Sequence, residues 1–317
     1  MRTVVFTGEG DNSVVEVQDR PTPVLGREDI CVQVAFAGLN PADLLQREGK
    51  YPPPPGAPQD VPGLEVAGTV IGTGDRVSSV APGDRVFGIV GGGGLADCVA
   101  AHERCIVPVP DGLDEKQAAA APEAFITAHD ALFTQAALQP GETVLVTGAS
   151  GGVGTAALQL AALAGARALG LVRSERAAVL VSELGATPVR LEELPSGVGN
   201  VDVILELVGG STLAEALPSV APRGRVMVVS TAGGASIDLP LGLLMTRRAR
   251  ITGTVLRSRP LEEKALAVQA FGRSVVPHLA SGRARALVDS VFPVDQVYRA
   301  FDRLSEMGKA GRILVAF

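Results

Sequence analysis

The chain has 317 residues, of which 46% are hydrophobic and 20% are charged. This composition is ordinary for a globular protein and excludes a disordered chain or a coiled-coil rod, while the length suggests two domains. Acidic residues outnumber basic ones by 34 to 28, no basic run occurs, and the sequence has no Trp and two Tyr. We therefore expect no nucleic-acid-binding surface.

The cysteines Cys31, Cys98 and Cys105 are too few and too irregularly spaced for a disulfide framework or a zinc ribbon. Their pattern favours a reducing, cytoplasmic compartment. The N-terminal segment lacks the apolar stretch of a secretory signal, and later apolar stretches are interrupted before about 18 residues. We therefore expect neither a targeting signal nor a membrane span.

The first part of the chain, up to about residue 110, consists of short β-branched runs separated by Gly and Pro turns, such as TVVF, DICVQVAFAG and LEVAGTVIGTG. This pattern predicts a β-rich, partly closed domain. The chain then becomes rich in Ala and Leu, and the segment DEKQAAAAPEAFITAHDALFTQAAL is predicted to be helical.

From Thr143 onward, predicted strands and helices alternate. The strands are TVLVTG, RALGLV, PVRL, VDVILELVGG, GRVMVVS and RITGTVLR, and helices are predicted near 153–165, 175–184 and 211–218. Alternation at this spacing predicts a doubly wound parallel sheet, so that the fold class is α/β. After Arg257, a long helix (PLEEKALAVQAFGRSVVPHLASG), a second helix and a last strand, GRILVAF, follow, and this strand could complete the sheet of the first domain.

The segment TVLVTGASGGVGTAALQLAALAGA combines an apolar strand, a Gly-rich turn and an Ala-rich helix. Ala149, Gly151 and Gly154 occupy the three small-residue positions of a dinucleotide-binding fingerprint. Small residues let a pyrophosphate approach the backbone N–H groups at the helix N-terminus, where the helix dipole favours anions. We expect Gly151, Gly152 and Val153 to make that contact.

The residues after the second strand of this domain indicate which dinucleotide binds. An NAD-specific protein usually has an acidic residue near Val172 for the ribose hydroxyls, and none is present. Arg173, Ser174 and Arg176 follow instead, and a guanidinium can pair with a 2′-phosphate. The pattern favours NADPH; the alternative is that these are solvated residues at the start of a helix.

A metal site or a Ser hydrolase site is not expected. The histidines His102, His129 and His278 are scattered, and no H-x-x-x-H or C-x-x-C pattern brings ligands together. The sequence also lacks G-x-S-x-G, so that a Ser hydrolase is unsupported.

Motifs spread over nearly the whole chain carry a family resemblance: AGLNPADLLQREGKYPPPPG, GLEVAG, PEAFITAHDAL, TGASGGVG, DVILELVGG, ITGTVLRSR and GKAGRIL. In this order they resemble the zinc-independent quinone oxidoreductase branch of the medium-chain dehydrogenase/reductase superfamily. LLQREGKYPPPPG and TGTVLRSR are similar to the tumour-suppressor-inducible quinone oxidoreductases of animals and their bacterial relatives. The resemblance implies a GroES-like β-rich catalytic domain (1–121 and 258–317) and a Rossmann domain (122–257).

The resemblance also implies roles for single residues. Zinc-dependent members have Cys at the position of Asn40 and His at the position of Leu64, so that no metal is expected. Tyr51 would line the substrate cleft, and Asn40 and Tyr51 are the hydrogen-bond donors that we assign to catalysis. Six residues are implied to lie near the nicotinamide end of the cofactor, and Asn40 is again among them: Asn40, Thr127, Ser230, Thr231, Leu256 and Arg257.

Each of these residues also has a structural interpretation. Asn40 before Pro41 is a good turn residue, Tyr51 could be a packed surface aromatic, and Arg257 could cap a strand. The alternative for Glu65 is that it satisfies nearby backbone donors, and we leave it outside the catalytic set. Leu95 and Cys98 stand where relatives tend to have Tyr, which leaves the identity of the acceptor open.

These observations predict an NADPH-dependent oxidoreductase that transfers hydride to quinones or other α,β-unsaturated carbonyls without metal or flavin. The resemblance further implies a homodimer joined through the edge strand RITGTVLR. One alternative is an enoyl thioester reductase, because LVRSERAAVLVSELGA is similar to the NADPH-binding segment of such enzymes. Another is a non-catalytic NADPH-binding sensor or structural protein.

Overall fold

The computed structural model describes residues 1–8, 14–194 and 200–317. They form two compact units: unit 1 comprises Met1–Ile126 and Leu256–Phe317, and unit 2 comprises Thr127–Val255. The predicted α/β architecture, with one β-rich unit and one unit built on a parallel sheet, is confirmed. The domain limits given above stay a prediction.

Strands and helices are numbered along the described part of the chain. The strands are β1 (Arg2–Thr7), β2 (Val14–Asp19), β3 (Asp29–Leu39), β4 (Glu65–Thr73), β5 (Arg85–Ile89), β6 (Cys98–His102), β7 (Ile106–Pro108), β8 (Thr143–Val146), β9 (Arg167–Leu171), β10 (Thr187–Val189), β11 (Val201–Glu206), β12 (Val220–Val228), β13 (Arg250–Gly253), β14 (Val288–Pro293) and β15 (Arg312–Ala316). The helices are α1 (Pro41–Arg47), α2 (Glu115–Ala120), α3 (Pro122–His129), α4 (Gly152–Leu163), α5 (Glu175–Glu183), α6 (Gly210–Ala216), α7 (Leu241–Arg247), α8 (Leu261–Ser274), α9 (Val276–Ala280) and α10 (Val297–Ser305).

The main sheet of unit 1 is mostly antiparallel and has the order β14-β15-β3-β4-β5-β7, with β6 also paired to β3. β15 pairs antiparallel with β3, so that Leu314 lies opposite Gly38. This confirms that the last strand completes the sheet begun by the first part of the chain. β1 and β2 form a separate antiparallel pair.

The core of unit 1 lies between this sheet and helix α10. Ile30, Val32 and Val34 of β3 are buried in this core. α10 buries Val297, Phe301 and Leu304 in the same cluster. The ring of Phe6 meets that of Phe301 edge-on, with 5.6 Å between centroids.

Two predicted helices are interrupted by proline. The helix predicted from Pro260 to Gly282 ends at Ser274 and resumes as α9, where Pro277 lacks the N–H that a continuous helix needs. The Ala-rich helix is divided in the same way before Pro122 and then continues beyond α3 as a π-helical turn, Asp130–Gln135. The prediction of one long helix from Pro260 to Gly282 was wrong, whereas the prediction that the Ala-rich segment is helical is confirmed.

Two short helices were not predicted. α1 begins after Asn40, which is therefore a helix N-cap as well as a turn residue. α7 precedes β13, the last strand of the parallel sheet. β13 covers only the first half of the predicted strand RITGTVLR.

Unit 2 is a six-stranded sheet in the order β10-β9-β8-β11-β12-β13. Every pair is parallel, with Ile204 of β11 opposite Leu145 of β8 at the centre. Both of these residues are fully buried. Because the strands are parallel, the turns that follow β8, β9, β11 and β12 all lie at one edge of the sheet.

Among the described residues, no helix combines the length and the apolar character needed to cross a membrane.

Candidate functional site

The turn after β8 has the geometry of an anion-binding loop. Gly151 is the N-cap of the twelve-residue helix α4, and no side chain caps the first turn of this helix. The Gly151 N–H donates to the Gly148 carbonyl at 3.0 Å, which closes the turn. The first N–H groups of a helix have no partner within it, so those of Gly152 and Val153 are placed to meet a phosphate.

Gly154 shows why the turn needs small residues. A Cβ atom built on Gly154 would lie 2.4 Å from the Gly148 carbonyl oxygen and 2.8 Å from the Ala149 Cα. No side chain can occupy that space without moving the turn, because real Cβ atoms do not approach so closely. The predicted fingerprint therefore fits a dinucleotide pyrophosphate.

The neighbouring turn after β11 is organised by a residue that the sequence analysis missed. Glu206 is fully buried, and its Oε1 accepts hydrogen bonds from the Thr147 hydroxyl at 2.8 Å and from the Val208 and Gly209 N–H groups at 2.6 and 2.7 Å. The Thr147 Oγ1 in turn accepts from the Leu207 N–H at 2.8 Å. The ends of β8 and β11 are thereby joined.

The turn after β12 carries Ser230 and Thr231. The Ser230 Oγ accepts from the Ala232 N–H at 3.3 Å, and Thr231 is exposed. The Gly233 N–H donates to the Val208 carbonyl at 2.7 Å, so that this turn is bonded to the one after β11. The structure thus brings Ser230 and Thr231 to the same sheet edge as the glycine-rich turn.

The turn after β9 presents two cations. Ser174 is the N-cap of α5 and accepts from the Ala177 N–H at 3.3 Å, while Arg173 and Arg176 are exposed. Within the described parts of the chain, neither guanidinium has a hydrogen-bond or ion-pair partner. Glu175 beside them reaches 3.5 Å from Arg190. Two unpaired guanidiniums at this edge can receive a phosphate.

In unit 1, Asn40 belongs to a buried ionic group. Its Nδ2 donates to the Glu65 Oε1 at 3.1 Å and to the Gly38 carbonyl at 3.3 Å. Arg312 donates to both the Asn40 Oδ1 and the Glu65 Oε1. Glu65 is fully buried and Arg312 is 5% exposed. The orientation of the Asn40 amide is therefore set by an ion pair between β4 and β15.

The carboxylate of Asp43 holds the start of α1. It accepts from the Asn40 N–H at 2.8 Å and from the Gly63 N–H at 2.9 Å. Burial raises the pKa of Asp43 to about 6, although these two hydrogen bonds oppose the shift.

Glu123, at the first turn of α3, lies against the same group. Its backbone N–H donates to the Glu65 Oε2 at 2.8 Å. Burial, followed by the nearby Glu65 carboxylate, raises the pKa of Glu123 to about 8. Sequence analysis did not single out Glu123, Glu65 or Arg312 as functional. The sequence feature that could have indicated them is a charged residue inside or beside an apolar run, as in GLEVAG, PEAF and GRILVAF.

Tyr51 and Arg257 lie together in unit 1. The guanidinium of Arg257 lies over the Tyr51 ring, 5.4 Å from its centroid. It also donates to the Gly91 and Tyr51 carbonyls at 2.8 and 3.1 Å and to the Gln46 Oε1 at 2.7 Å. Burial raises the pKa of Tyr51, so that its phenol stays protonated. Arg257 thus organises the segment around Tyr51, and its implied role toward a cofactor stays a prediction.

The other predicted residues are buried. Thr127 in α3 is 9% exposed and Leu256 is 6% exposed. Leu64, at the second position where zinc-dependent relatives have a ligand, is also buried. In the part of the chain that the structure describes, no group of three or more His, Cys, Asp or Glu side chains could hold a metal ion.

Comparison with known proteins agrees with this arrangement. The profile of the alcohol dehydrogenase GroES-like domain matches residues 26–111, and that of the zinc-binding dehydrogenases matches residues 152–271. The quinone oxidoreductase of Lama guanicoe is 32% identical over 99% of this chain and 97% of its own. The chain belongs to the quinone oxidoreductase branch of the medium-chain dehydrogenase/reductase superfamily. It is accordingly an oxidoreductase.

Solved structures of other proteins show the same fold over the whole length of this chain. The quinone oxidoreductase of Thermus thermophilus, whose structure is known alone and with NADPH, is 33% identical with a TM-score of 0.85, and each chain is covered completely. An NAD-dependent alcohol dehydrogenase reaches the same TM-score at 25% identity. The fold therefore accommodates both cofactors, and the residues at the sheet edge must distinguish them.

Proposed function

We propose that this chain is an NADPH-dependent reductase that transfers hydride to quinones or other α,β-unsaturated carbonyls, without a metal or a flavin. The observation that carries the proposal is the pair Arg173 and Arg176, which are exposed and unpaired within the described residues where an NAD-specific protein has an acid. The Thermus thermophilus relative, which is known in complex with NADPH, supports it.

The residues of unit 2 would bind the cofactor as follows. The N–H groups of Gly152 and Val153 would hold the pyrophosphate. The N–H of Gly151, which was predicted to make the same contact, donates instead to the Gly148 carbonyl. Arg173 and Arg176 would hold the 2′-phosphate, with Ser174 beside them. The remaining contacts, at the nicotinamide end, are proposed for Asn40, Thr127, Ser230, Thr231, Leu256 and Arg257. When bound, NADPH supplies a hydride from C4 of the nicotinamide.

Tyr51 and Asn40 are the donors that we propose for the acceptor. Reduction places negative charge on a carbonyl oxygen, and in a quinone or enone this charge is delocalised, so that hydrogen-bond donors can replace a metal. The protonated phenol of Tyr51 is one donor. Asn40 can donate by exchanging its longer bond, the 3.3 Å contact with the Gly38 carbonyl, for one with the substrate.

The acceptor class is tested by following NADPH oxidation with a quinone, an enone and an enoyl thioester. We expect the highest kcat/KM with the quinone or the enone. A preference for the thioester would instead identify an enoyl reductase. Binding of NADPH without turnover of any acceptor would indicate a sensor or structural protein.

Independence of zinc is proposed because Asn40 and Leu64 occupy two positions that hold ligands in zinc-dependent relatives. Purified protein should contain no stoichiometric zinc by elemental analysis and should keep its activity after treatment with a chelator. One zinc per chain, or loss of activity on chelation that added zinc restores, would contradict this part of the proposal.

We further propose a homodimer and a cytoplasmic location. β13 is the last strand of the sheet order in unit 2, and Leu241 and Met245 of the adjacent α7 are 66% and 77% exposed. An open strand edge beside exposed apolar side chains favours pairing with a second copy. The location is supported by the cysteines, which are free thiols buried in the fold.

A further inference from the structure

Five charged side chains gather in unit 1 around Asn40, and we call them the ionic cluster: Asp43, Glu65, Glu123, Arg257 and Arg312. The three carboxyl groups carry one more charge than the two guanidiniums neutralise. A buried excess charge is unfavourable, and one bound proton removes it.

The three carboxyl groups differ in the hydrogen-bond donors that they receive. Both oxygens of Asp43 accept from backbone N–H groups. Both oxygens of Glu65 also accept hydrogen bonds. Oε1 accepts from the Asn40 amide and the Arg312 guanidinium, and Oε2 accepts from the Glu123 N–H. The two backbone donors to Asp43 favour its ionised form.

The carboxyl group of Glu123 lacks such donors. Within the described residues it has no hydrogen-bond partner. Residue Glu123 is half-buried, whereas Asp43 and Glu65 are fully buried. The absence of donors favours the protonated form of Glu123 over the carboxylate.

Glu123 also lies close enough to Tyr51 for its charge to affect the phenol. Tyr51 is the residue that we propose as a donor to the acceptor. Five charged or titratable groups act on Glu123 or are affected by it. Glu65 and Arg312 belong to the sheet and Asp43 to α1, whereas Tyr51 lies after α1 and Arg257 lies between β13 and α8.

We propose that Glu123 is the acid that protonates the reduced acceptor, an inference that rests on the function proposed above. A quinone that accepts a hydride, and with it two electrons, becomes a hydroquinone monoanion. The O–H bond of the Glu123 carboxyl group then breaks, and a new O–H bond forms on the hydroquinone oxygen. The Glu123 carboxylate takes a proton from water before the next turnover, so that each cycle consumes one hydride and one proton.

The titration of Glu123 agrees with this role. Burial and the charge of Glu65 raise its pKa to about 8, so that the acid form predominates at neutral pH. An acid whose pKa lies near the working pH is effective both in donating and in regaining a proton. Above about pH 8, Glu123 becomes a carboxylate and can no longer donate.

The variant Glu123→Gln tests the proposal because Gln keeps the shape and can donate a hydrogen bond but cannot transfer a proton. With NADPH and a quinone, kcat/KM of the wild type should decline as pH rises above about 8. In Glu123→Gln, kcat/KM at neutral pH should fall by about a hundredfold, and the decline near pH 8 should disappear. NADPH affinity, measured by fluorescence titration, should stay unchanged.

The matched control is Glu263→Gln, an exposed residue of α8, which should keep the wild-type rate and pH profile. A Glu123→Gln variant with the wild-type rate and profile would overturn the inference and leave the proposed function standing. A decline near pH 8 that persists in Glu123→Gln but vanishes in Tyr51→Phe would also overturn it. A wild type that reduces no quinone would overturn the proposed function and this inference together.

The wild-type pH profile keeps the proposal testable if Glu123→Gln does not fold. A kcat/KM that stays constant through pH 8 and above would contradict it, because no group of the cluster would then be losing a required proton. A second check is the infrared band of a protonated carboxyl group, which should be present at pH 7 in the wild type and in Glu263→Gln and should disappear at higher pH.

Discussion

Glu65 joins elements from opposite ends of the sequence. Its two oxygens accept hydrogen bonds from the Asn40 amide, the Arg312 guanidinium and the Glu123 N–H, so one carboxylate links the start of α1 with β15 and α3. Both Glu65 and Arg312 are almost completely buried. A buried charge is tolerated only when its partner is in place, and so these two residues depend on each other.

Replacing Glu65 with Gln should destabilise the protein strongly, because it removes the carboxylate that pairs directly with the buried Arg312 guanidinium. We expect a loss of about 3–5 kcal/mol in the free energy of unfolding, measured by urea denaturation. The exposed control Glu263→Gln should change stability by less than about 0.5 kcal/mol. Equal stability of Glu65→Gln and wild type would show that the ion pair does not hold the sheet together.

Sequence analysis proposed Asn40 and Tyr51 as site residues but did not predict the ion pair beside Asn40. Glu65 and Arg312 lie 247 residues apart, and no local pattern states that β15 returns beside β3 in this register. Glu123 was missed for a related reason, since its unusual environment arises from Glu65 across the fold. By contrast, the glycine-rich turn and the arginines after β9 were recognisable because their chemistry lies in consecutive residues.

The turn between β8 and α4 is the element to which we assign the pyrophosphate of the cofactor. Its closure needs Gly154, where an added Cβ would lie 2.4 Å from the Gly148 carbonyl oxygen. Periodicity was sufficient to predict the alternating strands and helices around it. It was insufficient at Pro122 and Pro277, where one missing N–H divides a helix, and at α1 and α7, which are too short to show a clear period.

Gly154→Ala should therefore weaken both stability and NADPH binding. Forcing a methyl group into this turn should cost about 1–3 kcal/mol of stability, and NADPH affinity should fall because the N–H groups of α4 move. Gly242→Ala in the exposed helix α7 is the control, because no atom lies within 4 Å of the added Cβ. It should leave binding unchanged and stabilise the protein by about 0.4–1 kcal/mol. Thermal unfolding measures the stability of both variants, and fluorescence titration measures their NADPH affinity. Equal stability and equal affinity of Gly154→Ala and Gly242→Ala would contradict this prediction.

At the scale of the whole molecule, the open edge at β13 predicts self-association. Exposed Leu241 and Met245 should be covered in a homodimer. Sedimentation at micromolar concentration should report twice the 32.4 kDa chain mass. Met245→Glu should shift the protein toward the monomer by placing a charge in the contact. A wild type that sediments only as a monomer would count against the dimer.

The central claim is that this oxidoreductase uses NADPH because two arginines bind the 2′-phosphate. The measurement that tests it is kcat/KM for NADPH and for NADH with one quinone, in the wild type and in the double variant Arg173→Ala/Arg176→Ala, at two ionic strengths. Each charge-assisted bond contributes roughly 1.5–3 kcal/mol, so the value for NADPH should fall by at least about tenfold, and more at low salt. The value for NADH should hardly change. Equal losses for both cofactors, or a wild type that prefers NADH, would contradict the account.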